Sequence, residues 1–277
     1  MGTRWQIDTV DPLGDGVTGA VARRVDAFDR TWSRFRDDSL VHRIATGAGG
    51  RFEFPDDAPA LFALYRDLYD CTAGAVSPLV GRALEQWGYD SAYSLRAASV
   101  IDPVPRWDDA IAWDGSALET VGPVVVDVGA AGKGYLVDLV GGVLADAGIH
   151  SFTIDASGDI VHRGGRALRV ALEDPRDARK AIGVATLGDG ALCASATTRR
   201  AWPGAHHMID AITGLPTDAV IATWAAAPTG LVADGLATAL FFADPAGLAD
   251  RFDFEWVRML RSGEVQSSAG FDGEVFA

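Results

Sequence analysis

The sequence predicts an α+β fold in which mixed or antiparallel sheets pack against helices, and three observations carry that expectation. Amphipathic helical patterns are grouped early in the chain, strand patterns are grouped late, and a single strand–glycine loop–helix unit stands between them. A doubly wound sheet would instead alternate strands and helices along its whole length. The chain has 277 residues, enough for one large domain or two ordinary ones at ~150 residues each. No repeat, low-complexity tract or long linker divides it, so a single domain over residues 1–277 is expected.

Taken in order, Trp5 and Ile7 alternate with polar neighbours in a short first strand. Val17, Val21, Val25, Phe28 and Trp32 then recur at helical intervals and mark an amphipathic helix. Ser33 to Ser39 reads as a polar, solvated turn with one exposed aromatic, Phe35. Asp56 or Asp57 caps a second helix with Leu61, Leu64, Leu68 and Cys71 on one face and Gly74 as its stop. Gly74 to Pro78 leads into a third helical segment that ends at Gln86-Trp87-Gly88, and residues 89 to 123 show no period. Phe152 and Ile154 lie in a strand, Asp155 to Asp159 turns tightly, and Ile160-Val161 returns. Leu168 to Leu172 is another strand. Ile182 to Leu187 and Ala191 to Ser195 flank Gly188-Asp189-Gly190, whose Asp-Gly step predicts a hairpin. Val220 to Trp224 is a strand, Thr229 caps a helix running to about Phe242, and Trp256 to Leu260 with Val265 forms a closing hairpin.

The central unit organises the rest. Val124-Val125-Val126 reads as a buried strand, Asp127 to Gly134 as a glycine-dense loop with one lysine, and Leu136, Val140, Val143 and Ala147 as a helix stopped by Gly148. Strand, loop and helix in that order offer backbone N–H groups and a positive helix end to an anion, or simply connect a strand to a helix. Two common nucleotide loops are excluded. A P-loop needs Gly where Asp127 stands and Ser or Thr where Gly134 stands, and the dinucleotide fingerprint needs its close glycine pair first, whereas the order here is Gly129, Gly132, Gly134.

Charge narrows the partners. Lys plus Arg number 24 against 38 Asp plus Glu, a net charge of -14, which repels nucleic acid and anionic membranes. An anionic ligand would need local help from a helix end, a cation or a few basic side chains. Cys71 and Cys193 make neither a metal spacing nor a disulfide framework. The start of the chain has no apolar leader segment, Gln6 breaks the myristoylation pattern, and the uncharged stretch Ala219 to Ala233 is too short and too weakly apolar to span a bilayer. A soluble cytoplasmic protein is expected.

Three constellations could carry chemistry. Asp234 and Thr238, four apart on the late helix, share a face amid apolar neighbours, and a carboxylate with a hydroxyl suits a hard cation such as Mg²⁺. Alternatively Thr238 bonds back to its own helix and Asp234 is solvated. His206 and His207 point to opposite faces if extended, so one of them can serve a site, as a proton-transfer group rather than in a zinc cluster. Ser195 to Arg200 offers hydroxyls and arginines to a phosphate or to water, but no nucleophile elbow surrounds Ser195.

Several motifs occur in a particular order. Val126-Asp127 precedes Lys133-Gly134-Tyr135 and Asp138; Gly158-Asp159 follows, then Ser195 with Arg200, then His207-x-Ile209-Asp210, Thr213-Gly214-x-Pro216, and finally Ala233-Asp234 with Thr238. Met1-Gly2-Thr3, Ser33-Arg34-Phe35 with Asp38-Ser39, and Trp87-Gly88 belong to the same pattern. This order resembles the FAD:protein FMN transferases, the ApbE family, over essentially the whole chain.

The resemblance implies an Mg²⁺-dependent enzyme that moves the FMN moiety of FAD to a Thr or Ser hydroxyl of an acceptor flavoprotein and releases AMP. By motif it places the metal on Asp234, Thr238 and the Ala130 carbonyl. It places FAD against Asp127, Lys133 and Ile209, with Phe35 and the turn Ala75, Val76, Ser77 near the flavin nucleotide. His207 and Asp234 become the catalytic pair. The bottom-up reading agrees in that a metal and Lys133 can screen a pyrophosphate for in-line attack by a hydroxyl, with no covalent enzyme intermediate. Departures from the pattern fall at Val76-Ser77-Pro78-Leu79, at Ser157 of the Gly-Gly-Asp turn, at Ala196-Thr197-Thr198 and at Ala211. The rival readings are an FAD pyrophosphatase, in which water takes the hydroxyl's place, and a non-catalytic flavin-binding protein.

Overall fold

A seven-stranded antiparallel sheet forms the middle layer of the computed structural model, which describes residues 3–276. Met1 and Gly2 of the opening motif lie outside the described residues. The strands are β1 (Gln6–Thr9), β2 (Phe152–Asp155), β3 (Asp159–Arg163), β4 (Gly190–Ala196), β5 (Val220–Ala227), β6 (Glu255–Leu260) and β7 (Val265–Ser267), each paired with the next. Spatial order therefore follows chain order. Between β1 and β2 the chain leaves the sheet to build α1 (Asp15–Trp32), α2 (Ala58–Cys71) and α3 (Gly132–Asp146), and between β5 and β6 it builds α4 (Gly230–Ala239).

Period-two alternation sorts the two faces of the sheet. Ala191, Cys193 and Ala225 face the helices, and Leu192, Trp224, Val257 and Met259 face a separate three-stranded sheet made of Leu168–Asp174, Asp177–Leu187 and Gly273–Val275. The helix-facing residues are small because α4 lies close on them. The tightest approach is between α3 and α4. A Cβ on Gly134 would sit 2.0 Å from the Gly230 carbonyl oxygen and 2.6 Å from the Asp234 Cβ. Each helix also ties down the other: Asp138 accepts the Gly230 and Leu231 N–H groups at 2.8 Å each, and Asp234 accepts the Gly134 N–H at 2.8 Å.

The helical expectations hold. The α1 stripe, the 58–71 helix, the segment ending at Gln86 and the Thr229 cap, which accepts the Val232 N–H at 3.3 Å, are all present, and Gly148 adopts φ +82 as a helix stop. Asp57 stands at the α2 cap position without capping, because its carboxylate pairs with Arg24. Leu40–Thr46 is a short helix, and Gly50–Glu53, Ile111–Trp113 and Ala117–Thr120 form a small sheet, none of which shows a period in the sequence.

Two expectations are corrected. Val124 to Val126 is buried but pairs with no strand; the run lies against the turn at Pro78–Gly81, where Pro78 O accepts the Asp127 N–H at 2.8 Å. The Gly188-Asp189-Gly190 step makes no hairpin. Both edges of Asp177–Leu187 are already taken, by Leu168–Asp174 and by Gly273–Val275, so the chain crosses to the other sheet as β4, and Asp189 accepts the Gly164 N–H at 2.7 Å. No helix among the described residues is long and apolar enough to cross a membrane.

The α3–α4 contact makes a sharp prediction about two glycines of the same helix. Gly134→Ala drives a methyl into the α4 backbone and should lower stability by about 3 kcal/mol or more. Gly142→Ala, with no atom within 4 Å of the new Cβ, should leave the protein unchanged or stabilise it by roughly 0.5–1 kcal/mol. Chemical denaturation of the two variants beside the parent checks both signs.

Candidate active site

A cleft of about 330 Å³ opens where the glycine loop and α3 meet α4, the end of α1 and the ribbon around His207. Phe35, Ala75, Val76, Ser77, Asp127, Ala130, Lys133, His207, Ile209 and Thr238 all line it, although they come from well-separated stretches of the chain. Asp234 does not line the wall; it is 3% exposed and buried one helical turn from Thr238.

The loop is held from both sides of Asp127. One carboxylate oxygen accepts the Gly129 N–H at 2.7 Å, and the other accepts the Arg34 Nε–H at 2.6 Å. This fixes the path of residues 127–130 and carries the Ala130 carbonyl to α4, where it accepts the Thr238 hydroxyl at 3.1 Å. Thr238 therefore bonds across to the loop rather than to its own helix, and Asp234 is not solvated. Carbonyl, hydroxyl and carboxylate are hard oxygen donors of the kind Mg²⁺ takes. No group of three or more His, Cys, Asp or Glu side chains among the described residues could hold a metal. A cation here would rest on one carboxylate, neutral oxygens and its ligand.

Lys133 Nζ lies 2.8 Å from Asp159 Oδ2 and donates to the Ala156 carbonyl at 3.2 Å. Burial pulls its pKa down, but Asp159 and Asp234 outweigh burial and hold it above the ordinary lysine value. The Asp234 carboxyl is pushed well up, first by burial and then by Asp159. One ammonium shared between two buried carboxylates leaves room for a further positive charge.

His207 lines the cleft and His206 does not. The His207 N–H bonds the Arg200 carbonyl at 3.2 Å, and its ring Nδ1 lies 3.4 Å from the same oxygen. A carbonyl oxygen only accepts, so this contact is a hydrogen bond in the tautomer that carries the proton on Nδ1 and leaves the lone pair on Nε2. Burial, the Arg200 guanidinium and His206 lower the His207 pKa from the usual 6.5 to about 3, against the opposing pulls of the Arg200 carbonyl hydrogen bond and of Asp127. Ser195 sits in β4 opposite Thr223 and is not in the cleft wall.

The turn at residues 33–39 is only partly solvated: Asp37 and Asp38 are exposed, but Arg34 and Ser39 are buried. Arg34 is 6% exposed, and Phe35 is half-buried, stacked on Tyr93 at 5.5 Å and edge-on to Tyr89 at 5.3 Å. Tyr89 and Tyr93 are cleft residues that the sequence reading missed, since they lie in the stretch without a period. Arg34 had a signal in the Ser33-Arg34-Phe35 motif, but nothing there marks it as buried.

Fold and site together define the class: an α+β protein with a glycine-loop cleft lined by oxygen donors and cations. The chain belongs to the ApbE family, whose model matches residues 1–253. It is 28% identical to an FAD:protein FMN transferase of Rhodobacter capsulatus over 279 residues, covering 94% of this chain and 51% of that protein. The chain thus spans about half the length of that relative. A transferase of the same name from Klebsiella pneumoniae is 24% identical, over 88% of this chain and 77% of that one. In fold, the protein resembles the ApbE protein of Thermotoga maritima with a TM-score of 0.84 at 21% identity, covering 99% of this chain and 97% of that one. Flavin transferase ApbE from Vibrio cholerae matches with a TM-score of 0.82 at 23% identity, over 98% and 95%.

The depressed His207 pKa fixes the sign of a pH effect. The folded value lies below the unfolded one, so the associated stability is complete above roughly pH 6.5 and is lost as pH falls toward about 3, at up to ~1.4 kcal/mol per pH unit. The His207 ring resonances should show no titration between about pH 8 and about pH 5, and His207→Asn should flatten the fall in melting temperature over that range. A ring that titrates near its ordinary value would contradict the environment described.

Proposed function

We propose that this chain transfers the FMN moiety of FAD to a Thr or Ser hydroxyl of an acceptor flavoprotein and releases AMP, in an Mg²⁺-dependent reaction. The observation that carries the reading is the convergence, in a chain of the ApbE family, of the loop at Asp127–Lys133, Thr238 and His207 on one cleft, with Asp234 buried one helical turn from Thr238. The relatives named FAD:protein FMN transferase support it.

The roles follow from the chemistry of each group. Asp234, Thr238 and the Ala130 carbonyl would hold Mg²⁺, and the donor set fits, because a buried carboxylate whose pKa is raised gains most from a cation. When bound, Mg²⁺ supplies charge neutralisation at the pyrophosphate. Lys133 screens the same group. Phe35, the turn Ala75, Val76, Ser77, and Ile209 wall the flavin nucleotide, with Asp127 orienting the loop beneath it. Nε2 of the neutral His207 accepts the acceptor hydroxyl's proton late, once bonding to phosphorus has made that proton strongly acidic, since a base held near pKa 3 is too weak to take it from the free hydroxyl. The hydroxyl oxygen forms the new bond to the FMN phosphorus, the bridging P–O bond breaks, and AMP leaves with that oxygen and the electron pair.

At three of the departures the local backbone is closed by hydrogen bonds. Ser77 Oγ accepts the Leu79 N–H at 3.1 Å, the Val76 N–H bonds Thr72 Oγ1 at 3.0 Å, and the Thr197 N–H bonds Ile221 O at 3.0 Å. Cys71 and Cys193 are both free thiols, in keeping with a reducing, cytoplasmic setting. The acidic surface argues against nucleic acid and anionic membranes as partners.

The test is incubation with FAD, Mg²⁺ and an acceptor domain, read as flavin fluorescence surviving a denaturing gel. Transfer is expected for the parent, with a loss of roughly a hundredfold or more for Asp234→Ala. Free FMN and AMP without protein-bound flavin would assign the pyrophosphatase, and unchanged FAD would leave only binding.

A further inference from the structure

The Arg34 guanidinium sits in the cleft wall with its side chain 4% exposed. Its Nε is used by Asp127, while Nη1 and Nη2 are buried without a partner. The Phe35 and Tyr89 rings lie over the group, 4.2 Å and 5.1 Å from its central carbon, so its plane is held while its outer edge is unpaired. Leaving charged donors unpaired in the interior is costly. A second arginine of the wall, Arg200, makes no ion pair with a described residue, and its charge and that of Arg34 both act on Tyr89. By contrast, the other cations of the cleft are matched: Lys133 by Asp159 and Arg36 by Asp26 and Asp38.

We infer that Arg34, assisted by Arg200, forms a phosphoryl subsite that grips the phosphate of the FMN half of FAD, the group being transferred. This rests on the function proposed above. The planar edge of a guanidinium presents two N–H ends that match two oxygens of one phosphoryl group, and ring stacking holds it in place. In a chain of net charge -14 a dianionic ligand requires such local cations. The subsite lies at the FMN half because Arg34 is bonded to Asp127 at the start of the loop and flanked by Phe35, on the flavin side, whereas the Ala130–Thr238 oxygens stand at the loop's other end. The Nη atoms are covered in this structure, so binding requires the Phe35 and Tyr89 rings that lie over the group to part.

The test compares binding of FMN, ADP and riboflavin, by fluorescence for the flavins and calorimetry for ADP, in the parent, Arg34→Gln, Arg34→Lys and Arg200→Gln. Arg34→Gln should weaken FMN and ADP by about ten- to a hundredfold and leave riboflavin within about twofold. Arg34→Lys should restore part of the loss, since a point charge replaces the fork. Arg200→Gln should move FMN in the same direction by less. An unchanged FMN affinity, or a riboflavin loss equal to that of FMN, overturns the subsite. A parent that binds ADP through Arg34 but ignores riboflavin would keep the subsite and remove the flavin reading. If Arg34→Gln fails to fold because Asp127 is left unpaired, Arg34→Lys and Arg200→Gln decide by the same comparison.

Discussion

The contact between α3 and α4 at Gly134 and Gly230 is the constraint on which the site depends. With no side chain at either position, the two backbones meet closely enough for Asp234 to take the Gly134 N–H and for Asp138 to take those of Gly230 and Leu231. Each helix thereby satisfies an orphan amide at the start of the other, which is the usual weak point of a buried helix end. The same crossing brings Thr238 onto the Ala130 carbonyl. A glycine pair chosen for packing thus places the carboxylate, the hydroxyl and the carbonyl within one neighbourhood.

Charge placement explains why this neighbourhood is suited to an anion and a cation together. The surface is strongly acidic, yet the cleft wall carries Arg34, Arg36, Lys133 and Arg200 against Asp29 and Asp127. Behind the wall, Asp159 and Asp234 are nearly inaccessible and share Lys133. Burying an unpaired carboxylate is far more costly than burying a matched one. Lys133 therefore serves structure first: without it Asp159 would lose the ammonium at 2.8 Å. Its remaining field, with that of the arginines, would act on an anion in the cleft.

Much of this was legible in the sequence because it depends on period and on local motif. The α1 and α2 stripes, the Thr229 cap and the Asp234–Thr238 spacing are one-dimensional signals. The mistakes have a common physical source. Val124 to Val126 has the composition of a strand, but whether it pairs depends on which neighbour reaches it, and here that is the turn at Pro78. The Asp-Gly step at 189–190 has hairpin chemistry, but its first strand has one edge filled by the preceding strand Leu168–Asp174 and the other by Gly273–Val275, which is distant in sequence. Arg34 shows the same limit at the site. An arginine in a polar turn looks solvated until Asp127, 93 residues away, is placed beside it.

Rigid and irregular parts of the cleft divide the work. The groups that would face the pyrophosphate, Lys133, Thr238 and the Ala130 carbonyl, stand on α3, α4 and the short loop clipped to them, where packing leaves little freedom. The walls that would face the flavin and the acceptor come from residues 33–36, 75–77, 89–93 and 207–209, which belong to turns, extended backbone and a two-residue ribbon strand. Irregular backbone tolerates substitution as long as its own hydrogen bonds survive. At Val76-Ser77 they do, through Thr72 and Leu79. Of the departures from the family pattern, Val76 and Ser77 lie in this irregular wall, whereas Lys133, Asp234 and Thr238 stand on the two helices that meet at van der Waals distance, where a change of side chain has least room.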